Sequence, residues 1–264
     1  MSKRAASFWG WFWAILGALY FFVPMYGTLD FSLRMIKGQL SLEAYRVVLA
    51  DPAFLNAVIF SVEMAILTII VSILLFVPTT YWIHLRLPRL RPVIELITLL
   101  PFIVPTIVLV FGLIRTFGHP PFSLTDTPAT TNVLLVAGYV ILSMPYMYRA
   151  VDVGLRAIDI HALTEASLSL GSSWFDVIVR VIVPNLRVAI LSGALITFAT
   201  VMGELVLADF LVRPALGPYM VEIGKDTVFQ PAALGIMSFA ITWAAMGLIA
   251  LFARGDTGRR LTVR

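Results

Sequence analysis

Three acidic side chains lie within, or at the edge of, long apolar stretches: Glu63, Glu204 and Asp209. A carboxylate in an apolar environment is costly unless a cation or hydrogen-bond donors accompany it, so it marks a candidate functional site. No lysine or arginine lies inside these stretches as an obvious partner. We expect the three carboxylates, Glu204 foremost, to face a cationic solute. Hydrogen bonding to neighbouring helices, or solvation of Asp209, is an equally weighted alternative.

The stretches that hold these acids are long enough to cross a membrane. Of the 264 residues, 60% are hydrophobic and 13% are charged, which is too apolar for an ordinary soluble domain. A bilayer core needs about 20 consecutive apolar residues per helix. We predict an all-α, polytopic membrane protein, with one transmembrane domain over residues 1–264 and six spanning helices. The predicted spans are 8–28, 55–83, 93–114, 131–148, 188–210 and 232–253.

Basic residues set the predicted orientation, because the cytoplasmic flanks of spanning helices retain Lys and Arg. One side of the six spans collects 13 of the 19 basic residues, and the other side has six. We therefore place both termini in the cytoplasm and the three acids toward the outside, where they would line the outer half of a translocation path. The 13 are Lys3, Arg4, Arg86, Arg89, Arg91, Arg149, Arg156, Arg180, Arg187, Arg254, Arg259, Arg260 and Arg264.

The longest predicted cytoplasmic segment, 149–187, is amphipathic. Apolar residues recur there at helical spacing, opposite Asp176 and Arg180. Ser173 with Asp176 three residues later fits a capping box, and Gly171 can end a preceding helix in a left-handed conformation. We predict two short helices joined at Gly171 on the cytoplasmic surface. The apolar positions of the second helix are Trp174, Val177, Ile178, Val181 and Ile182.

A spaced motif runs through this segment. It consists of Glu165-Ala166-Ser167, then Gly171 after three residues, then Val181-Ile182-Val183-Pro184 after nine more. The motif resembles the signature of permease subunits of ABC importers: Glu-Ala-Ala, three residues, Gly, nine residues, Ile-x-Leu-Pro. Every position is in register, and the departures at Ser167, Val181 and Val183 are small or conservative.

In that family this segment forms a coupling helix that docks on a cytoplasmic ATPase subunit. The resemblance implies that Glu165, Ala166 and Gly171 lie at the ATPase contact. Small residues permit close approach, and glycine permits a sharp turn. The rest of the coupling motif is Ser167, Val181, Val183 and Pro184. The alternative is an amphipathic hairpin that rests on the membrane surface.

The resemblance extends from about residue 50 onward and implies the type I ABC importer permease fold. It implies a channel subunit of an ATP-driven, binding-protein-dependent importer in a bacterial inner membrane, not an enzyme. The implied partners are a dimer of cytoplasmic ATP-binding subunits, a second homologous permease subunit, an extracytoplasmic solute-binding protein and membrane lipid. ATP and Mg²⁺ would bind the partner ATPase, with no cofactor in this chain and no nucleic acid. The Gly224-Lys225 pair is followed by Asp226 and lacks the earlier glycine of a phosphate-binding loop.

Two stretches bear on the solute. Thr164-Glu-Ala and the run from Met202 to Leu211 resemble the spermidine and putrescine group of these permeases most closely. That resemblance implies a polyamine, whose positive charges suit the acids, and it favours a heterodimeric pore over a homodimer. Permeases for ferric iron, thiamine or phosphonates share much of the pattern. A secondary transporter is the rival from another class, but it calls for inverted repeats or interrupted helices around a central site.

Two further groups of residues carry expectations about packing. His84, His119 and His161 fall in three separate loops, so we expect surface histidines and no metal site. The fifth span is rich in small residues, which let helices approach closely, either within the chain or against a second permease subunit. These residues are Ser192, Gly193, Ala194, Thr197, Ala199, Thr200 and Gly203.

Overall fold

The computed structural model describes residues 3–121 and 123–255, with side chains at 9–121 and 123–251. The described residues form helices and no strand, so the predicted all-α class is confirmed. Arg259, Arg260 and Arg264, which helped to assign the C-terminus to the cytoplasm, lie outside the described residues. The helices are α1 Lys3–Ser32, α2 Glu43–Ala50, α3 Pro52–Arg86, α4 Arg91–Ile103, α5 Thr106–Phe117, α6 Pro128–Arg156, α7 Ile160–Ser169, α8 Trp174–Asn185, α9 Arg187–Met202, α10 Val206–Phe210, α11 Leu216–Ile223 and α12 Phe229–Gly255.

Four described helices are each long and apolar enough to cross a membrane. They are Trp9–Ser32 within α1, α3, α6, and Phe229–Leu251 within α12, and they cover the first, second, fourth and sixth predicted spans. Two pairs pass the same test only together: Pro88–Ile103 with α5, bent by 102°, and α8 with α9, bent by 77°. The total is six if each bent pair is one span.

The third predicted span, 93–114, is not one continuous helix. Helix α4 ends at Ile103 and α5 begins at Thr106. Val104 between them has extended backbone angles, φ −85° and ψ 118°. The following residue, Pro105, explains the break, because a proline ring disfavours helical geometry in the residue before it and supplies no N–H.

The fifth predicted span, 188–210, ends earlier than the apolar run suggests. Helix α9 stops at Met202. The Glu204 carboxylate then accepts hydrogen bonds from the backbone N–H of Leu207, at 3.1 and 3.0 Å, and of Ala208, at 3.4 Å. Because a side-chain acceptor satisfies N–H groups at the start of a helix, Glu204 caps the separate short helix α10.

The helices group into two compact units, and the assignment of one domain to the whole chain stays a prediction. In the first unit, Phe31 of α1 stacks on Phe229 of α12 with ring centroids 4.9 Å apart. The first unit comprises the described residues of 1–55 and 219–241, and the second comprises those of 56–218 and 242–264.

In the second unit α9 packs closely along α6. Gly193 permits this approach, because a Cβ added there would lie 2.7 Å from Met147 Sδ. Ala194 and Thr197 are buried beside it, whereas Ser192 is exposed. The buried small residues therefore serve packing within the chain. A contact of α9 with a second subunit stays a prediction.

Candidate functional site

The two short helices predicted for the amphipathic segment are α7 and α8. Asp159 begins α7, since its carboxylate accepts from the Ala162 N–H at 3.0 Å. Ser173 begins α8, accepting from the Asp176 N–H at 3.2 Å. Gly171 joins the helices with φ +85°, a left-handed conformation that favours glycine. The predicted cap and turn are therefore present, although α6 continues to Arg156 and shortens the connecting segment.

The base of this loop is buried in the second unit. Val177 and Ile182 are completely buried, in one apolar cluster with Met147, Val151 and Leu155 of α6. Residues 177–182 form a π-helical turn in place of the predicted α-helical period. Its i to i+5 hydrogen bonding brings Val177 and Ile182 to the same side. Burial of this base fixes the loop to the end of α6.

The last turns of α3 hold both helices of the loop. Tyr81 hydrogen-bonds Thr164 of α7 with the two oxygens 2.8 Å apart. Trp82 packs on Trp174 of α8 with ring centroids 5.0 Å apart, and Arg86 lies 5.7 Å from the centroid of the same Trp174 ring. Polar, aromatic and cation–π contacts therefore tie the loop to α3.

The tip of the loop is exposed. Glu165, Ala166 and Gly171 are exposed, and their role in docking an ATPase stays a prediction. Beside them Leu170 is 87% exposed and Phe175 is 73% exposed. Exposed apolar side chains beside a charge, above a buried base, are typical of a surface that binds another protein or a membrane.

The remaining motif residues belong to the base more than to the tip. Ser167 is half-buried, and its hydroxyl donates to the Leu163 carbonyl at 2.7 Å. Val181 and Val183 are also half-buried, and Val183 packs on the apolar cluster. Pro184 is exposed one residue before the end of α8. These residues position the tip.

The three acids of the apolar stretches have different surroundings. Glu63 on α3 and Asp209 on α10 are exposed, whereas Glu204 is half-buried and caps α10. Ser61, two residues before Glu63, accepts from the Leu216 N–H at 2.8 Å. The turn of α3 that carries Glu63 therefore packs against the segment that follows α10. Their role in a translocation path stays a prediction.

Asp152 is a buried acid that the sequence analysis does not single out. Its side chain is 2% exposed, and it accepts from His84 at 2.8 Å, Arg91 at 3.1 Å and Arg156 at 2.5 Å. The expectation of a surface His84 is wrong, because α3 extends through position 84 and turns the ring onto Asp152. His119 and His161 are exposed. The sequence feature that could have indicated this charged cluster is the i,i+4 spacing of Asp152 with Arg156 and of Arg91 with Glu95.

Comparison with known proteins identifies the family. Residues 77–255 match the family described as the binding-protein-dependent transport system inner membrane component. The spermidine/putrescine transport system permease protein PotB of Escherichia coli is 24% identical over 202 residues, covering 72% of this chain and 68% of PotB. A probable molybdenum ABC transporter permease protein of Haloferax volcanii is 29% identical over 198 residues, covering 71% of this chain and 72% of that protein. The molybdenum transport system permease protein ModB of Azotobacter vinelandii is 30% identical over 158 residues, covering 57% of this chain and 69% of ModB.

Solved structures share the fold. A bacterial alginate ABC transporter in complex with an alginate pentasaccharide-bound periplasmic protein has a chain with TM-score 0.68 and 15% identity, covering 99% of this chain and 96% of its own. A chain of an amino acid ABC transporter has TM-score 0.56 and 18% identity, covering 80% and 97%. Fold and family match together define a polytopic transport subunit, with an exposed loop between α6 and α9. The chain belongs to the binding-protein-dependent transport system inner membrane components, and the expected ABC importer permease is confirmed.

Proposed function

We propose that this permease moves its solute by alternating access, driven by cytoplasmic ATP-binding subunits that dock on the tip of α7 and α8. The observation that carries the proposal is the contrast within one loop. The base is completely buried at Val177 and Ile182, while Leu170 and Phe175 stand exposed at the tip beside Glu165. A rigid base and an exposed tip suit a part that receives force from another protein. A hairpin lying on lipid is the alternative.

The proposed assembly contains this chain and three kinds of partner protein. Two ATP-binding subunits would bind ATP and Mg²⁺, and this chain would pair with a second, homologous permease, with the heterodimer favoured. An extracytoplasmic binding protein would deliver the solute, as the periplasmic protein in the related alginate transporter structure suggests. The distribution of Lys and Arg supports a bacterial inner membrane orientation with the loop and both termini inside. This chain transmits force and lines the path but catalyses no reaction.

The proposed solute is a polyamine such as spermidine. Glu63, Glu204 and Asp209 supply negative charge, and PotB is among the similar proteins. The molybdenum permeases at 29% and 30% identity favour a second candidate, an oxyanion such as molybdate. Because the two solutes have opposite charge, stimulation of ATP hydrolysis by spermidine or by molybdate in the assembled transporter separates them.

Co-purification from native membranes tests the docking proposal. The tagged chain, extracted in mild detergent, should bring an ATP-binding subunit with it. Glu165→Arg reverses a charge at the exposed tip, and Gly171→Pro cannot adopt the φ of +85°, so both should lose that subunit. Glu222→Arg is the matched control, because Glu222 is also exposed but lies on α11. A folded wild-type chain without an ATPase, or variants that all retain it, would contradict the proposal.

A further inference from the structure

A network of charged side chains links three helices beside the loop. Asp152 of α6 accepts from His84 of α3 at 2.8 Å and from Arg91 of α4 at 3.1 Å. Arg156, one turn later on α6, donates to Asp152 and also to Glu95 of α4 at 3.0 Å. Arg91 Nε lies 3.3 Å from Glu95 Oε1 and completes the network.

Charge and burial make Asp152 the centre of this network. Its side chain is 2% exposed, whereas the side chains of Glu95 and Arg156 are 40% and 50% exposed. A buried carboxylate persists only when donors replace its lost hydration, and three donors do so here. The carboxylates of Asp152 and Glu95 balance the guanidinium groups of Arg91 and Arg156. Removing the Asp152 charge leaves two cations facing one anion.

The position of the network connects the loop to the bent third span. Asp152 and Arg156 lie on the last turns of α6, eight and four positions before α7 begins at Ile160. His84 lies among the residues of α3 that hold the loop, between Tyr81 and Arg86. Arg91 and Glu95 lie on α4, the first half of the span that bends by 102°. At the far end of α4, Phe102 meets Tyr146 of α6 edge to face, with ring centroids 5.6 Å apart.

We infer that Asp152 is a positioning residue that makes the loop, the end of α3 and helix α4 move as one body. A displacement of the loop tip then reaches the bend at Val104 and Pro105 instead of being absorbed at the loop base. The inference rests on the proposed function, because that function supplies the displacement at the tip. Asp152 touches neither ATP nor solute in this role.

Spin labels test the mechanical tie without any partner. The chain has no cysteine, so Ser169→Cys and Leu96→Cys introduce the sole labelling sites, on exposed positions of α7 and α4. In lipid nanodiscs the distance distribution between the two labels should be narrow, and Asp152→Asn should broaden it. Chains that carry only one label serve as a control, because any distance measured in them must lie between two copies of the chain. Asp176→Asn is the matched control, since that carboxylate pairs with Arg180 at 3.1 Å on the loop itself. An unchanged distribution in Asp152→Asn overturns the inference.

A charge-balanced variant separates positioning from simple charge compensation. Arg91→Gln with Asp152→Asn leaves the Glu95 and Arg156 pair and restores neutrality, so this double variant should fold. It should nevertheless keep the broadened distribution, because the buried link from Asp152 to α3 and α4 is absent and the half-exposed pair of Glu95 and Arg156 holds α4 only weakly. Recovery of the narrow distribution would show that Asp152 only neutralises cations.

The complex with the ATP-binding subunit provides the functional arm. Labels at Leu96 and Val108, exposed positions on α4 and α5, report the bend of the third span. Their distance should shift when ATP is added to the wild-type complex, and the shift should be lost in Asp152→Asn although the subunit still co-purifies. A shift that persists in Asp152→Asn, or is absent from the wild-type complex, contradicts the inference. If no ATP-binding subunit co-purifies, the proposed function has failed, while the tie measured in the chain alone stands or falls separately.

Discussion

Tyr81 Oη and Thr164 Oγ1 lie 2.8 Å apart, and both residues are almost completely buried. The Thr164 hydroxyl donates its single hydrogen to the Ile160 carbonyl at 2.5 Å, so Tyr81 is the donor between the two side chains. The bond therefore fixes α7 to the last turns of α3. It joins a membrane-crossing helix of this permease to its proposed docking helix.

Tyr81→Phe removes this donor while keeping the ring. We expect the free energy of unfolding to fall by about 1 kcal/mol, the usual net contribution of a buried hydrogen bond. Amide hydrogen exchange in α7 should rise. Tyr20→Phe serves as control, because Tyr20 is 85% exposed and its loss should change neither quantity. Equal exchange in α7 for the two variants would show that the hydrogen bond does not hold the loop.

Gly171 should tolerate asparagine better than alanine. Its φ of +85° is left-handed, where a residue with a Cβ loses about 1–2 kcal/mol and asparagine is the side chain accepted most readily after glycine. No heavy atom lies within 4 Å of an added Cβ, so backbone conformation alone decides the effect. Thermal unfolding should rank the chains wild type, Gly171→Asn, then Gly171→Ala. Equal stability of all three would contradict the assigned turn.

Leu170→Ser and Phe175→Ser should weaken capture of the ATP-binding subunit without lowering thermal stability. Both side chains are largely exposed, so little native packing is lost. Each should reduce the subunit recovered on co-purification by about tenfold, as expected for apolar contacts central to an interface. Leu49→Ser on α2 is the control, since Leu49 is 63% exposed and belongs to the other compact unit. Loss of stability in place of binding would assign the two side chains to the fold.

Glu204 offers a test of the translocation path against the helix cap. Glu204→Gln keeps an oxygen that can accept from Leu207 and Ala208, whereas Glu204→Ala removes the cap and should cost about 1 kcal/mol of stability. If the charge faces a polyamine, uptake of spermidine should fall in both variants. Normal uptake with Gln and reduced stability with Ala would leave Glu204 as a cap alone.

Short stretches of sequence predict much of this structure, because helix ends, turns and apolar runs depend on neighbouring residues. Apolar runs mark the membrane-crossing helices, Ser173 and Gly171 mark the turn between α7 and α8, and the spacing from Glu165 onward indicates the family. The break at Val104 was also readable in principle, since Pro105 follows it.

Other features depend on tertiary packing that no local pattern carries. His84 and Asp152 are 68 positions apart, so their pairing depends on how α3 lies against α6. The early end of α9 has a local cause instead, because Glu204 accepts from N–H groups three and four residues later, and the apolar run around it hides this cap in the sequence. The sequence predicts Glu204 as a residue of the translocation path, and in the structure it also caps α10. A carboxylate in apolar surroundings is stabilised by any hydrogen-bond donor that it can contact.

Cysteine cross-linking at the loop tip tests the central claim most directly. The chain has no cysteine of its own, so Ala166→Cys gives one exposed reactive site on α7 in the native membrane. With a short thiol-to-amine reagent, we predict an adduct that mass spectrometry identifies as an ATP-binding subunit. In the proposed mechanism ATP binding moves these subunits, so the yield should change with nucleotide. Leu49→Cys is the control and should give no adduct with an ATP-binding subunit. If Ala166→Cys also gives no such adduct, the result contradicts docking at this loop.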